Sequence, residues 1–375
     1  MFYLDYAASS PMFPTVLQIL QKSYSEDFAN SSAAHSLGRQ LHKRIEEARH
    51  LLLNLLGGET PGELIFTSSA TEANNLLWKG LPLKKGDELW LSSADHPSLT
   101  QAASYWAPQG IEVKEIPLEE NGHLALEKMT NGRGCLMLSQ INNTSGHRHD
   151  VCGIAQALKK KNPQIHIHID AAQSFAKIAL SVGPAIDSVS LSAHKMGGPK
   201  GIAALYLKKG IELSPLICGG GQEGGLRSST LPAPLIFAFA AAAAEWQQQG
   251  KNFDLVARDC YQTAVHFFKE KIPSAIFPWE GAITGPYILT IILPGVSSDI
   301  ILRHLEQKEI YLSSSSACSS RVKGKNQVFS ALKIPEKWHK NVLRLSWGPP
   351  LSKEDLIVAL TNLATVYQEL LALKA

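Results

Sequence analysis

The 375-residue sequence predicts an α/β fold with a mostly parallel sheet. Three observations carry this expectation. Between about residues 35 and 210, short apolar runs alternate with amphipathic segments, the pattern that builds a sheet covered by helices on both faces. Several of those runs end in polar residues, where an open α/β sheet binds its ligands. The chain is also too long for one small core, so two domains are expected.

Seven strands are expected in the first of these, at ELIFT (63–67), DELWLS (87–92), IEVKEI (111–116), CLMLSQ (135–140), IHIHID (165–170), SVSLSA (188–193) and IAALYL (202–207). Ahead of them, HSLGRQLHKRIEEARHLLLNLLGG sets Leu37, Leu41, Ile45, Ala48 and Leu52 on one helical face and stops at Gly57-Gly58. After GGGQEGG (219–225) come two long helical patterns, 231–249 and 252–271. A second α/β set follows, with strands near 287–293 and 342–346 and a final helix over 351–373. The domain boundary is placed near 250.

Composition narrows the function classes. A formal charge of +3 with scattered basic residues gives neither a nucleic-acid stripe nor a basic membrane-binding face, and a small-molecule substrate is expected. Five cysteines, Cys135, Cys152, Cys218, Cys260 and Cys318, contain no CxxC pair and leave an odd count. That argues against a disulfide framework and against zinc, and for a reducing compartment. The opening MFYLDYAASSPMFP lacks the apolar core of a signal peptide, and no apolar run is long enough to span a bilayer. A cytoplasmic protein is expected, with no membrane or nucleic-acid partner.

Three strand ends carry chemistry. In FTSSATEANN the strand runs into Ser69 and Glu72, at capping-box spacing, so free N–H groups at a helix start form a seat for phosphate. In HIDAAQS, Asp170 closes a strand with Ile165, Ile167 and Ile169 on one face and His166 and His168 on the other. A carboxylate there can pair with a protonated pyridine nitrogen or simply cap a helix. The two histidines read as the strand's polar face, with no third metal ligand. In SLSAHKMGGPKG, Lys195 directly follows a strand, beside Ser192 and His194, and is preferred over Lys200 as an amine for an aldehyde. A phosphate seat, a carboxylate for a ring nitrogen and a lysine for an aldehyde together describe pyridoxal 5′-phosphate. Apart from these ends stands YLSSSSACSSRVKGK (311–325), where Cys318 lies among hydroxyls with Arg321, Lys323 and Lys325 downstream, an unusual setting for a structural thiol.

The ordered motifs LDYAA (4–8), Asn30…His35…Gly38, FTSSATEANN, ADH (94–96), NN (142–143), HIDAAQS, SAHKMGGPKG, GGG (219–221), RSSTLP (227–232), SSSSACSS (313–320) and RLSWG (344–348) resemble the cysteine desulfurases of the class V aminotransferases. The resemblance implies fold type I: a large cofactor domain, 14–250, with a seven-stranded sheet, and a smaller α/β domain of 1–13 with 251–375. It implies Lys195 as the Schiff-base lysine, Asp170 against the pyridine nitrogen and His96 stacked on the ring. Asn143 and Gln173 would lie near the ring hydroxyl, and Ala70, Thr71, Ser192 and His194 around the phosphate. Thr230 would complete the phosphate site from the other subunit of a homodimer, while Arg344 and Asn143 meet the substrate, L-cysteine. SSxSAC marks Cys318 as the nucleophile on a long loop, which takes the sulfur as a persulfide and passes it to an acceptor such as an iron–sulfur scaffold protein. The family commonly has glycine where Ser69 and Ser315 stand, proline at Ser31, an acid at Thr144, histidine at Gln222 and often a basic residue at Gly224. Other readings are a different aminotransferase or lyase of this fold, such as a selenocysteine lyase, or a weakly active relative kept as a binding partner.

Overall fold

The computed structural model describes residues 1–57, 61–119, 124–129, 132–314 and 327–373. The chain runs β1 (Phe2–Tyr3), α1 (Pro14–Glu26), α2 (Ser36–Leu55), β2 (Gly62–Thr67), α3 (Ala70–Gly80), β3 (Glu88–Leu91), α4 (Pro97–Thr100), α5 (Ala102–Trp106) and β4 (Glu112–Glu115). It continues through β5 (Gly134–Ser139), α6 (Val151–Lys161), β6 (His166–Asp170), β7 (Ser188–Ser192), β8 (Ala203–Lys208) and α7 (Ala233–Lys271). The last elements are β9 (Ile288–Ile292), α8 (Ser298–Glu306), β10 (Ile310–Tyr311), α9 (Gln327–Ala331), β11 (Val342–Ser346) and α10 (Lys353–Ala372).

All seven strands expected between 63 and 207 form, in one sheet of order β2-β8-β7-β6-β5-β3-β4. The pairs from β7 through β4 are parallel, and β8 runs antiparallel to both β7 and β2. Two reversals leave β2 pointing the same way as β7, so the carboxyl ends of β2, β5, β6 and β7 share one edge. Every residue of β3, β5, β6 and β7 is buried, as expected where helices cover both faces. Near the other end of the chain β9 and β11 pair antiparallel, and β1 pairs in parallel with β10.

Two sequence expectations need correction. The helical patterns at 231–249 and 252–271 are one helix, α7, which runs without a break through Gly250. A helical glycine costs about 1 kcal/mol relative to alanine. Aromatic packing on both sides offsets it, because Trp246 and Phe253 both lie against Phe13. On α2, Leu37 is 51% exposed, and Gly38 takes the buried position beside Leu41, Ile45, Ala48 and Leu52. The reason is space: a Cβ on Gly38 would sit 2.3 Å from the Ala33 carbonyl oxygen and 2.8 Å from that of Asn30.

Those obstacles are backbone atoms and cannot rotate away. Gly38→Ala should therefore lower stability by about 1–3 kcal/mol in urea unfolding. Gly183→Ala, whose Cβ would meet nothing within 4 Å, should leave the midpoint nearly unchanged.

Candidate active site

The shared sheet edge explains how residues far apart in sequence meet. Ser139 ends β5, Asp170 ends β6 and Ser192 ends β7, while the turn after β2 delivers Ser69 to the start of α3. These four residues line one cavity of about 320 Å³ together with Ala70, Thr71, His96, Asn143, Gln173, His194, Lys195 and Arg344.

One end of the cavity is built for an anion. Ser69 caps α3 by accepting from the Glu72 N–H at 3.1 Å. Ala70 and Thr71 occupy the first turn, where N–H groups have no carbonyl within the helix to bond. The reciprocal half of the capping box differs from expectation, since Glu72 Oε2 accepts from the Ser68 N–H at 2.9 Å and its Oε1 accepts from Arg227 at 2.8 Å. Ser192 and His194 add polar groups to the lining. Burial pushes the His194 imidazole down to about 4, with Lys195, Lys200 and Lys177 acting in the same direction.

The amine and carboxylate occupy the same cavity. Lys195 Nζ donates to the Ala7 and Ala8 carbonyls at 2.5 and 2.7 Å. Lys200 is exposed and lies outside the lining, which favours Lys195 for an aldehyde. Asp170 is 6% exposed; its Oδ1 accepts from the Ala172 N–H at 2.8 Å and its Oδ2 from Asn74 at 2.9 Å. Its carboxylate is thus held in place without a cation among these bonds. His96 caps α4, its Nδ1 accepting from the Ser98 N–H at 3.2 Å. Burial lowers its proton affinity, opposed by Asp170 and reinforced by Lys195. Of the paired asparagines, Asn142 is fixed by its own loop, accepting from the Thr144 and Ser145 N–H groups at 2.9 Å and donating to Ala94 at 2.8 Å. Asn143 is the one that faces the cavity. The groups present fit pyridoxal phosphate: free N–H groups at a helix start for the phosphate, a carboxylate for a ring nitrogen, and an amine for the aldehyde.

Arg344 supplies the cavity's guanidinium. It is 6% exposed, with one NH2 group donating to the Asn143 carbonyl at 2.8 Å and the other paired with Asp5 at 2.7 Å. Its Nε is buried with no partner among the described residues. A buried donor of this kind costs free energy until an acceptor arrives, as a ligand carboxylate would.

The model for "Aminotransferase class-V" matches residues 2–356. The chain belongs to the class V aminotransferase family. Within that family it is 30% identical over 386 residues to the "Cysteine desulfurase IscS" of Rickettsia rickettsii (strain Iowa), an alignment covering 99% of this chain and 92% of the relative. Among solved structures it is similar to a "NIFS-LIKE PROTEIN" (TM-score 0.89, 26% identity, 98% of this chain and 99% of the other). It is also similar to "SspA in complex with cysteine" (TM-score 0.78, 29% identity, 93% and 99%).

Two parts of the expected site of this class V member are not brought into the cavity by the described residues of one chain, and Thr230 was expected to come from the second subunit. Thr230 is exposed and does not line the cavity within a single chain. Cys318 and Ser315 lie outside the described residues. The four described cysteines all stand away from the cavity: Cys135 and Cys260 are buried, Cys152 donates to the Ser181 carbonyl at 3.4 Å, and Cys218 is exposed. Burial raises the Cys135 thiol strongly and Cys260 to about 11, so neither favours a thiolate.

Sequence reading also missed supporting residues inside motifs it had marked. Asp5 of LDYAA holds Arg344. Asp95 of ADH is buried, which pushes its carboxyl up to about 7, and it accepts from the Ser139 N–H at 3.3 Å and from the Ser139 hydroxyl. The signal was the motif itself, whose acidic members had no evident partner until the strands were ordered.

His166 and His168 lie buried behind the cavity, and burial pushes them down to about 4 and 3. Their folded affinity for protons is below the ordinary value near 6.5, so below pH 6.5 the unfolded chain binds protons that the folded chain does not. Stability should therefore fall as pH drops from about 6.5 toward 4, by about 1.4 kcal/mol per pH unit for each histidine. Urea unfolding at pH 7, 6 and 5 measures the slope, and His166→Asn should reduce it.

Proposed function

We propose that this chain is a pyridoxal-phosphate-dependent cysteine desulfurase that takes the sulfur of L-cysteine onto Cys318, leaves L-alanine, and works as a homodimer in the cytoplasm. One observation carries the reading: the amine of Lys195, the carboxylate of Asp170, the helix start at Ala70 and Thr71, and the guanidinium of Arg344 line one cavity. The names of its relatives and the cysteine-bound SspA structure support the choice of substrate.

When bound, pyridoxal phosphate supplies an electron sink for bonds at the substrate's carbon atoms. Lys195 holds it through the amine. Asp170 would keep a proton on the ring nitrogen, and the α3 start, Ser192 and His194 would hold the phosphate. His96 would cover a ring face, and Gln173 and Asn143 would lie near the ring hydroxyl. Arg344 receives the substrate carboxylate with its remaining donors. Thr230, exposed at the surface of one chain, would complete the phosphate site from the second subunit.

Chain connectivity supports Cys318 as the nucleophile. Ser313 pairs with Arg344 through two backbone bonds, Arg344 N–H to Ser313 O at 2.7 Å and Ser313 N–H to Arg344 O at 3.2 Å. Cys318 is five residues further on, so covalent geometry keeps its Cα within about 18 Å of Ser313. A Cys318 thiolate forms the S–S bond as the substrate's carbon–sulfur bond breaks. The electron pair passes to carbon, which is protonated to give alanine, and the outer sulfur leaves for an acceptor protein.

Cys318→Ser should retain the yellow cofactor and a spectral response to L-cysteine yet release almost no sulfide or alanine, because a hydroxyl is essentially un-ionised at neutral pH. Brief incubation of the unmodified protein with L-cysteine should add one sulfur to the Cys318 peptide, read by mass spectrometry. Sulfur on another cysteine would remove Cys318 from this role.

Lys195→Ala should abolish the bound cofactor's visible absorbance, and Lys200→Ala should leave it. Arg344→Ala should weaken L-cysteine binding by roughly 1.5–3 kcal/mol, the loss of a charged hydrogen-bonded contact. Unchanged substrate affinity would move the carboxylate elsewhere.

A further inference from the structure

Behind the cavity lies a buried polar chain that joins Asp170 to His96 through residues to which no role has yet been given. Asn74, on α3 one turn beyond the anion seat, is fully buried. Its Nδ2 lies 2.9 Å from Asp170 Oδ2 and 2.8 Å from Ser98 Oγ, and its Oδ1 lies 3.0 Å from His168 Nε2. Ser98 Oγ is 2.8 Å from His96 Nδ1. On the far side, Ser188 Oγ is 2.9 Å from His168 Nδ1 and 2.8 Å from His166 Nε2. Ser98, Asp170, His166, His168 and Ser188 are all buried as well.

The direction of every bond follows from one fact. A carboxylate only accepts, so Asn74 must turn its NH2 toward Asp170. Its second hydrogen then goes to Ser98 Oγ, and the Ser98 hydroxyl proton is left to donate to His96 Nδ1. Since that nitrogen also accepts from the Ser98 N–H, the proton of neutral His96 must sit on Nε2. On the other side, the Asn74 oxygen requires a proton on His168 Nε2. His168 Nδ1 therefore accepts from Ser188, which in turn accepts from His166 Nε2–H. Burial keeps both of these rings neutral.

We propose that Asn74 is a positioning residue for the ring site: it holds the Asp170 carboxylate in place and, through Ser98, fixes the His96 proton on Nε2. The proposal rests on the roles given above to Asp170 and His96. It adds a single amide through which the ring-nitrogen partner and the ring-face histidine share one orientation. A fully satisfied buried network of this kind is rigid, whereas one missing member leaves several groups unpaired. Neutral His96 is then a hydrogen donor at Nε2, with Asp170 and Lys195 as the charges acting on it.

The test uses the full chain with 15N-labelled histidine, whose long-range spectra report which ring nitrogen carries the proton. Before pyridoxal phosphate is added, His96, His166 and His168 should each carry it on Nε2 at pH 7, with peaks assigned through single histidine substitutions. Asn74→Leu removes the acceptor for His168 without adding charge. The His168 proton should then populate Nδ1, and the reconstituted enzyme should lose at least tenfold in kcat with KM for L-cysteine within threefold. If Asn74→Leu does not fold, Ser188→Ala serves. There Asn74 should still hold the His168 proton on Nε2, and a shift to Nδ1 would overturn the proposal. A proton on Nδ1 of His96 or His168 in the unmodified chain would overturn it too, as would unaltered histidine spectra and kcat in Asn74→Leu. Failure of the unmodified enzyme to release sulfide would count against the desulfurase reading, and the histidine spectra would still decide the role of Asn74.

Discussion

The site depends on how the first ten residues are held. Asp5 pairs with Arg344, the Leu4 carbonyl accepts from the Ser346 N–H at 2.8 Å, and the Ala7 N–H donates to the Ser346 hydroxyl at 2.9 Å. On its other side the same stretch meets the large sheet: the Ala7 carbonyl accepts from both Lys195 and Gln173, and the Ser10 N–H donates to the His194 carbonyl at 2.9 Å. A short extended segment therefore ties the residues after β7 to β11. It joins the bond from Arg344 to the Asn143 carbonyl in setting Lys195 and Arg344 at a fixed separation.

The same segment shows how polar groups are kept satisfied in a buried place. A lysine amine and a glutamine amide need acceptors, and the backbone carbonyls of Ala7 and Ala8 provide them at no cost in side-chain entropy. Small residues there let the chain pass close to the amine. The glycine-rich turn is fastened differently. Glu223 at φ +52 pairs with Arg49 at 2.8 Å through both oxygens and accepts from the Phe66 N–H at 2.6 Å, so a strained turn is pinned to the edge of β2.

Much of this was legible in the sequence because strand ends announce themselves. Asp170 and Lys195 follow apolar runs directly, and Ser69 with Glu72 has helix-start spacing, so local pattern alone placed them. Asn74 was not legible, because an asparagine in the second turn of a helix reads as a solvated side chain until β6 is known to lie beneath it. Asn142 and Asn143 are identical by type and adjacent, and only the loop's own hydrogen bonds separate the structural one from the cavity one. The continuity of α7 was hidden by Gly250, whose local preference is overridden by Phe13, a residue more than 230 positions away. For Cys318 the argument rests on its motif and on the tether at Ser313, since the loop itself lies outside the described residues.

The Asp5–Arg344 pair spans 339 positions of sequence. During synthesis at about 5–20 residues per second, Arg344 is made about 17–70 s after Asp5. The sheet can assemble once β8 is complete, and the amino-terminal segment can then meet Gln173, His194 and Lys195, but its partners in β10 and β11 follow only after α7, β9 and α8 have been made. The nascent protein thus holds its first residues on the large-sheet side alone until β11 emerges, and the cavity gains Arg344 last. Lys195 is therefore made and anchored before the Arg344 guanidinium exists.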